Sequence, residues 1–139
     1  MKLEEIIAVT GKPGLYKVIT QSKVNIIVQS LIDNKRFPIN ATHNVSVLDS
    51  IAIYTIEEEV PLKLVFKSIF EKEEGKECIS HKENNVVLVK YFSEILPNYD
   101  DERVYPSNIK KVLQWYNILV NNNFDFTSIS EDEDTESEE

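Results

Sequence analysis

The stretch LYKVITQSKVNIIVQSLIDNKRFPIN, residues 15–40, decides the architecture of the N-terminal half. β-Branched and aromatic residues crowd into runs parted by polar turns: LYKVIT at 15–20, VNIIVQSLI at 24–32 and RFPIN at 36–40. The separators at 21–23 and 33–35 are as short as antiparallel hairpins require. A further run, VSVLDSIAIYTI at 45–56, adds one strand or two interrupted ones. So many short strands joined by tight turns predict a small curled antiparallel sheet of the SH3-like barrel type, with an open sheet capped by helices as the competing arrangement. The second run is apolar on both faces, with Val24, Ile26, Val28 and Ile32 on one and Ile27 and Leu31 on the other. One face is expected to fill the barrel and the other to receive a helix.

Upstream, KLEEIIAV at 2–9 reads as two helical turns with Leu3, Ile6 and Ile7 on one face, ending at Gly11. Next comes TGKPGLY, residues 10–16, with two of the chain's three glycines around a lysine and a proline. A phosphate-binding P-loop needs G-x-x-x-x-G-K-[ST] between a strand and a helix. Here Gly11 and Gly14 are three apart, Lys12 precedes the second glycine, and a strand follows. The stretch therefore reads as a turn in which Pro13 presets φ and Gly14 supplies the positive φ of a type II turn.

Past residue 57 the period lengthens. Pro61 suits a first helical position, Leu62, Val65, Phe66, Ile69 and Phe70 form a stripe, and Gly75 ends the helix. Asn85 caps a second predicted helix running to Leu96, with Leu88, Tyr91, Phe92 and Ile95 inward, although VVLV at 86–89 competes as a strand. Ser107 caps a third, in which Ile109, Val112, Leu113, Tyr116, Leu119 and Val120 line one face. The expected fold is thus α+β: a small SH3-like antiparallel barrel over 1–57, about three helices over 58–126 and a disordered acidic tail over 127–139.

The net charge of -9 is unevenly spread. The segment EDEDTESEE, 131–139, holds seven acids and no base; without them 17 acids face 15 bases, a net of -2. A near-neutral body with Arg36 and Arg103 as its only arginines lacks the field that nonspecific nucleic-acid binding uses. One cysteine cannot close an internal disulfide, and the opening residues lack the long apolar run of a secretory signal, so a cytoplasmic protein is expected.

The segments KPGLYKV, IIVQSL, KRFPI, EEVPLKLVFKSI, ISHK and YFSEILPNYDDERVYPSNIKKVLQWYNIL together span almost all of residues 1–121. In them the chain resembles a family of small bacterial proteins described only as a domain of unknown function. The resemblance implies a small β-domain followed by a helical part, and no activity, cofactor or substrate.

Several residues invite a chemical reading. Cys78 and His81 form a C-x-x-H pair, but His43 is the only other histidine and there is no second cysteine, so a four-ligand Cys/His zinc set cannot be completed. The same pair as nucleophile and base would need an oriented geometry and an oxyanion hole. Cys78 therefore reads as an inward-packed loop residue and His81 as a surface one. NYDDER at 98–103 lacks the calcium-loop pattern and reads as a solvated loop in which Arg103 pairs with an acid. Tyr16, Phe37 and Tyr54 lie in three different strand candidates and would meet in a barrel groove for a peptide, unless they are core. Trp115 falls off its helix stripe beside Lys111 and Ile118. Exposed, it is a partner anchor; packed between helices and barrel, it is structural, which is the preferred reading.

The function expected is a non-enzymatic cytosolic interaction module that binds a partner protein and needs no cofactor. The alternative is RNA or DNA binding by the barrel through Lys12, Lys17, Lys23, Lys35 and Arg36, with the acidic tail as competitor. The third reading is an enzyme whose site gathers scattered residues such as His43, His81 and Asp101.

Overall fold

The computed structural model of the chain describes residues 2–40 and 44–129. Five strands, β1 (Ile6–Val9), β2 (Lys12–Gln21), β3 (Asn25–Ser30), β4 (Arg36–Asn40) and β5 (Val45–Val47), form an antiparallel sheet in the order β4-β3-β2-β1-β5. A separate hairpin pairs β6 (Ala52–Tyr54) with β7 (Glu59–Pro61). Three helices follow, α1 (Leu62–Lys72), α2 (Asn85–Ile95) and α3 (Pro106–Asn121).

The mixed α+β class and the hairpins hold, but the sheet is not closed into the expected SH3-like barrel. β4 and β5 remain its two edges among the described residues. The reason lies after β5, which is only three residues long and runs into a 3-10 turn, Leu48–Ser50, whose Leu48 is buried among the helices. The chain that would close a barrel instead crosses to β6 and α1. The sheet still curls. β2 carries an extra residue against β3 near Ile19 and two against β1 around Pro13 and Gly14, and such bulges bend a strand.

The N-terminal segment corrects a second expectation. Only Leu3–Glu5 is helical, as a 3-10 turn, and the rest is β1. A period of two sends Ile6 to one core and Ile7 and Val9 to another, so neighbouring β-branched residues are all buried. Gly11 accordingly ends no helix. With φ +86 it sits in the β1–β2 turn, while Gly14 lies inside β2 rather than at the centre of a type II turn. Of the face expected to hold Val24, Ile26, Val28 and Ile32, the two ends are not covered: Val24 is 65% and Ile32 61% exposed, because both flank the β3 ladder in turns.

Gly14 adopts φ +87, and a Cβ there would lie 2.7 Å from Ile32 Cδ1. Ile32 is exposed enough to give way, so the backbone sets the cost. Gly14→Ala is expected to lower stability by about 1–2 kcal/mol, read as a lower urea midpoint with an unchanged slope.

One core joins sheet and helices: Leu3, Ile6, Leu15, Leu31 and Leu48 pack in one cluster with Phe66, Phe92, Leu113 and Tyr116. Asn122 Nδ2 donates to Leu31 O at 2.9 Å across the two halves. A smaller cluster of Ile7, Val9, Tyr16, Val28 and Ile39 lies on the other face of the sheet. In α1, Leu62, Val65, Phe66 and Ile69 are buried as their spacing required. Pro61 precedes the helix as the last residue of β7, a strand the sequence did not announce. α2 is a helix, not a strand, and Asn84 rather than Asn85 caps it, its Oδ1 accepting from Val87 N at 3.0 Å. α3 begins at Pro106 ahead of Ser107, and Asn108 Oδ1 accepts from Tyr105 N at 2.8 Å.

The main core also takes in a residue beyond 127. Phe126–Ser128 form a 3-10 turn, and Ile129 is buried in the main core. Phe126 is 1% exposed and meets the rings of Phe66, Phe70, Tyr116 and Phe124. The rest of the predicted disordered tail, 130–139, lies outside the described residues. No helix of the described residues is long and apolar enough to cross a membrane.

Candidate functional site: twin grooves at Trp115

The inward stripe of α3 is Ile109, Val112, Leu113, Tyr116 and Leu119. Trp115 lies at the edge of that stripe, so its ring is half-buried against the core. Lys111 stands four residues earlier, one turn away on the same face. Two grooves meet at this pair. One, of about 170 Å³, lies between α3 and β6, with Ile51, Ile53, Val104, Val112 and Trp115 as apolar walls and Tyr54, Arg103, Asn108 and Lys111 around them. The other, of about 280 Å³, lies between α3 and the β1–β2 turn, lined by residues 8–12 with Gly14, Ser46, Lys111, Gln114 and Trp115.

The first groove is built by a loop docked on a strand. Asp100 N donates to Tyr54 O at 3.0 Å, Ile56 N donates to Asn98 O at 2.9 Å, and Thr55 bridges to Tyr99. Asp100 in turn holds Arg103, whose Nε donates to its Oδ2 at 2.8 Å. The guanidinium lies 4.3 Å from the centre of the Tyr54 ring. That Arg103 bond, followed by the Glu102 N–H donated to Asp100, holds the Asp100 carboxyl below the usual carboxylate range. Of the acids of NYDDER, Asp100 therefore serves to position an arginine, as the sequence had it for one of them.

In the second groove the backbone of TGKPGLY reappears as a wall. A Cβ built on Gly11 would meet nothing within 4 Å. Lys12 stands at the edge, its Nζ 5.4 Å from the centre of the Phe37 ring. Lys12, Arg103 and Lys111 thus bring three bases to the two grooves, whose lining residues include no acid among the described residues.

The aromatic residues named from sequence divide between two places. Tyr16 and Phe37 meet edge to face at 5.6 Å in the smaller cluster of the sheet, where Tyr16 is buried. Tyr54 is in the other sheet and shares a groove with Trp115. The bases also separate. Lys17, Gln29 and Arg36 stand in one cross-strand row, with Arg36 Nε donating to Gln29 Oε1 at 2.9 Å. Lys12 and Lys35 lie toward one end of the β2–β3 hairpin, and Lys23 is in the turn at the other. Asp101 and His81 line neither groove, and His43 lies outside the described residues. Lys111, central to both grooves, was noticed only as a neighbour of Trp115; the i,i+4 spacing was the available signal.

Cys78 is packed inward as expected. Its Sγ approaches Leu113 O at 3.7 Å, and its backbone N donates to Asn117 Oδ1 at 2.8 Å. Burial, then the negative charge of Glu73, pushes the thiol from 9.0 up to about 12. Nearby, Tyr91 OH donates to Glu73 Oε2, and Tyr116 OH donates to Lys76 O at 2.9 Å. Burial first also raises both phenols. At pH 8 native Cys78 therefore holds about a thousandfold less thiolate than an unhindered thiol. Iodoacetamide labelling is expected to be slow until denaturant is added. Because the folded state keeps this proton more tightly than the unfolded state, its stabilisation is complete below about pH 9 and fades as pH rises toward 12. Urea midpoints across that window should fall.

Residues 3–48 match the domain of unknown function DUF5606, and residues 51–119 match the domain of unknown function DUF6852. A solution NMR structure of a protein from Bacteroides vulgatus, solved in a structural-genomics effort, is similar at 45% sequence identity. The match covers 89% of this chain and 89% of that one, with a TM-score of 0.75. No curated protein matches the chain.

Proposed function

This chain belongs to an uncharacterised family, matching DUF5606 over residues 3–48 and DUF6852 over residues 51–119, and on that premise we propose that it is a non-enzymatic cytosolic module that binds a partner protein through the grooves at Trp115. The observation behind this reading is one half-buried tryptophan shared by two grooves that carry three bases, on a body whose net charge is -2 over residues 1–130. Apolar walls flanked by Lys12 and Lys111, with no acid in the lining, fit an extended protein segment with an apolar side chain next to carboxylates. Tryptophan and arginine at the centre of a surface are the residues that interfaces use as anchors.

RNA or DNA binding has less behind it, since the body carries a net charge of -2 and Lys23 lies in the turn away from the other four bases. An enzymatic reading has less still, because the one thiol is buried and protonated at neutral pH.

Trp115 is the only tryptophan, so its emission reports on the site alone. Titrating the full chain with peptides of about ten residues, acidic-apolar in one set and basic in another, tests the proposal. Saturable change with the acidic-apolar set is expected. A response confined to basic peptides or to single-stranded RNA, or no saturable response, would overturn it.

A further inference from the structure

We infer that the chain's own acidic segment, residues 131–139, occupies the groove between α3 and the β1–β2 turn and competes there with the partner. This rests on the reading of the Trp115 site given above. The segment has seven acids and no base, and the body has slightly more acids than bases, so a general attraction does not exist. Attraction requires a local surface with cations and no acid, and the groove between α3 and the β1–β2 turn, lined by Lys12 and Lys111 and by no acid, is such a surface among the described residues.

Reach allows it. The described chain closes at Ile129, three residues beyond Phe126, whose ring centre is 5.2 Å from that of Tyr116, the neighbour of Trp115 on α3. Extended chain covers about 3.3 Å per residue and a helix is about 10 Å across, so roughly the residues 130–135 are spent in rounding α3 and the acids within 136–139 are the ones that reach the groove. Lys12 and Lys111 are exposed, so each ion pair is weak and salt-sensitive. Tethering compensates, because a short linker holds the segment at an effective concentration in the millimolar range. A segment affinity of a few tenths of a millimolar then suffices to weaken an acidic competitor about fivefold.

The experiment compares the full chain with a full-length variant in which the seven acids of 131–139 become Gln or Asn. Trp115 emission is read from about 20 to about 500 mM salt, and each protein is titrated with the acidic-apolar peptide. We expect the emission of the native chain to move with salt and that of the neutralised variant to stay still. The variant should bind the peptide about fivefold tighter at low salt, and Lys111→Glu should abolish the salt response. Equal emission and equal peptide affinity for the two proteins would overturn the inference while leaving the partner reading intact. A salt response lost on neutralisation, with no peptide binding by either protein, would support the segment's occupancy and overturn the partner reading instead.

Discussion

Replacing Phe126 by Ala is expected to lower stability by about 3–5 kcal/mol, the largest effect of any single change considered, on the scale of buried Phe→Ala substitutions. Phe126 is 1% exposed and stands amid Phe66, Phe70, Phe124 and Tyr116, with ring centres 4.9 to 6.5 Å apart within this group. Truncating it leaves a hole bordered by both α1 and α3, which rigid helices fill poorly. The urea midpoint of the purified variant measures the loss. A change below about 1 kcal/mol would mean that the segment after α3 is not part of the core. The same packing dictates how the acidic segment should be removed. Ending the chain at 126 strips away buried Ile129, and with it the carbonyl that accepts from Lys67 Nζ at 3.3 Å.

The second large effect falls on binding. Trp115→Ala is expected to weaken the acidic-apolar peptide by about 2 kcal/mol or more, some thirtyfold, as central tryptophans of interfaces do. Isothermal titration measures it, since the variant has lost its fluorophore. Trp115 also packs on the core, so part of its loss is structural. Lys111→Glu separates the two contributions: the residue is exposed, its replacement should barely move the urea midpoint, and it reverses a charge shared by both grooves. Affinity unchanged in Lys111→Glu and reduced in Trp115→Ala only in proportion to lost folding would show that the grooves do not bind.

Most of the fold was legible in local pattern. Hairpin turns, alternation in RFPIN and the i, i+3, i+4 stripes of α1 and α3 are set by neighbouring residues, and the structure kept them. What was misread depended on distant partners. KLEEIIAV satisfies a helical period as well as a strand period, and only β2 and β5 on either side make β1 a strand. Residues 57–61 look like a helix approach; they form β7 because β6 offers an edge. Residues 126–129 carry no periodicity, so nothing local reveals that Phe126 completes an aromatic cluster built by α1 and α3.

The site was half visible for the same reason. Trp115 and Lys111 announced themselves by spacing on one helix. That Arg103 would be stacked on Tyr54, and that the TGKPGLY turn would wall a second groove, required tertiary contacts over many tens of residues. Tyr16 and Phe37, predicted as a groove with Tyr54, instead pack together in the smaller cluster of the sheet.

The most direct measurement is a backbone and indole NMR titration of the labelled full chain with the acidic-apolar peptide. The expected shifts centre on the Trp115 indole N–H, residues 10–12, Ala52–Tyr54 and the first half of α3. Shifts confined to β3 and β4, with the Trp115 indole unmoved, would contradict the assignment of function to these grooves.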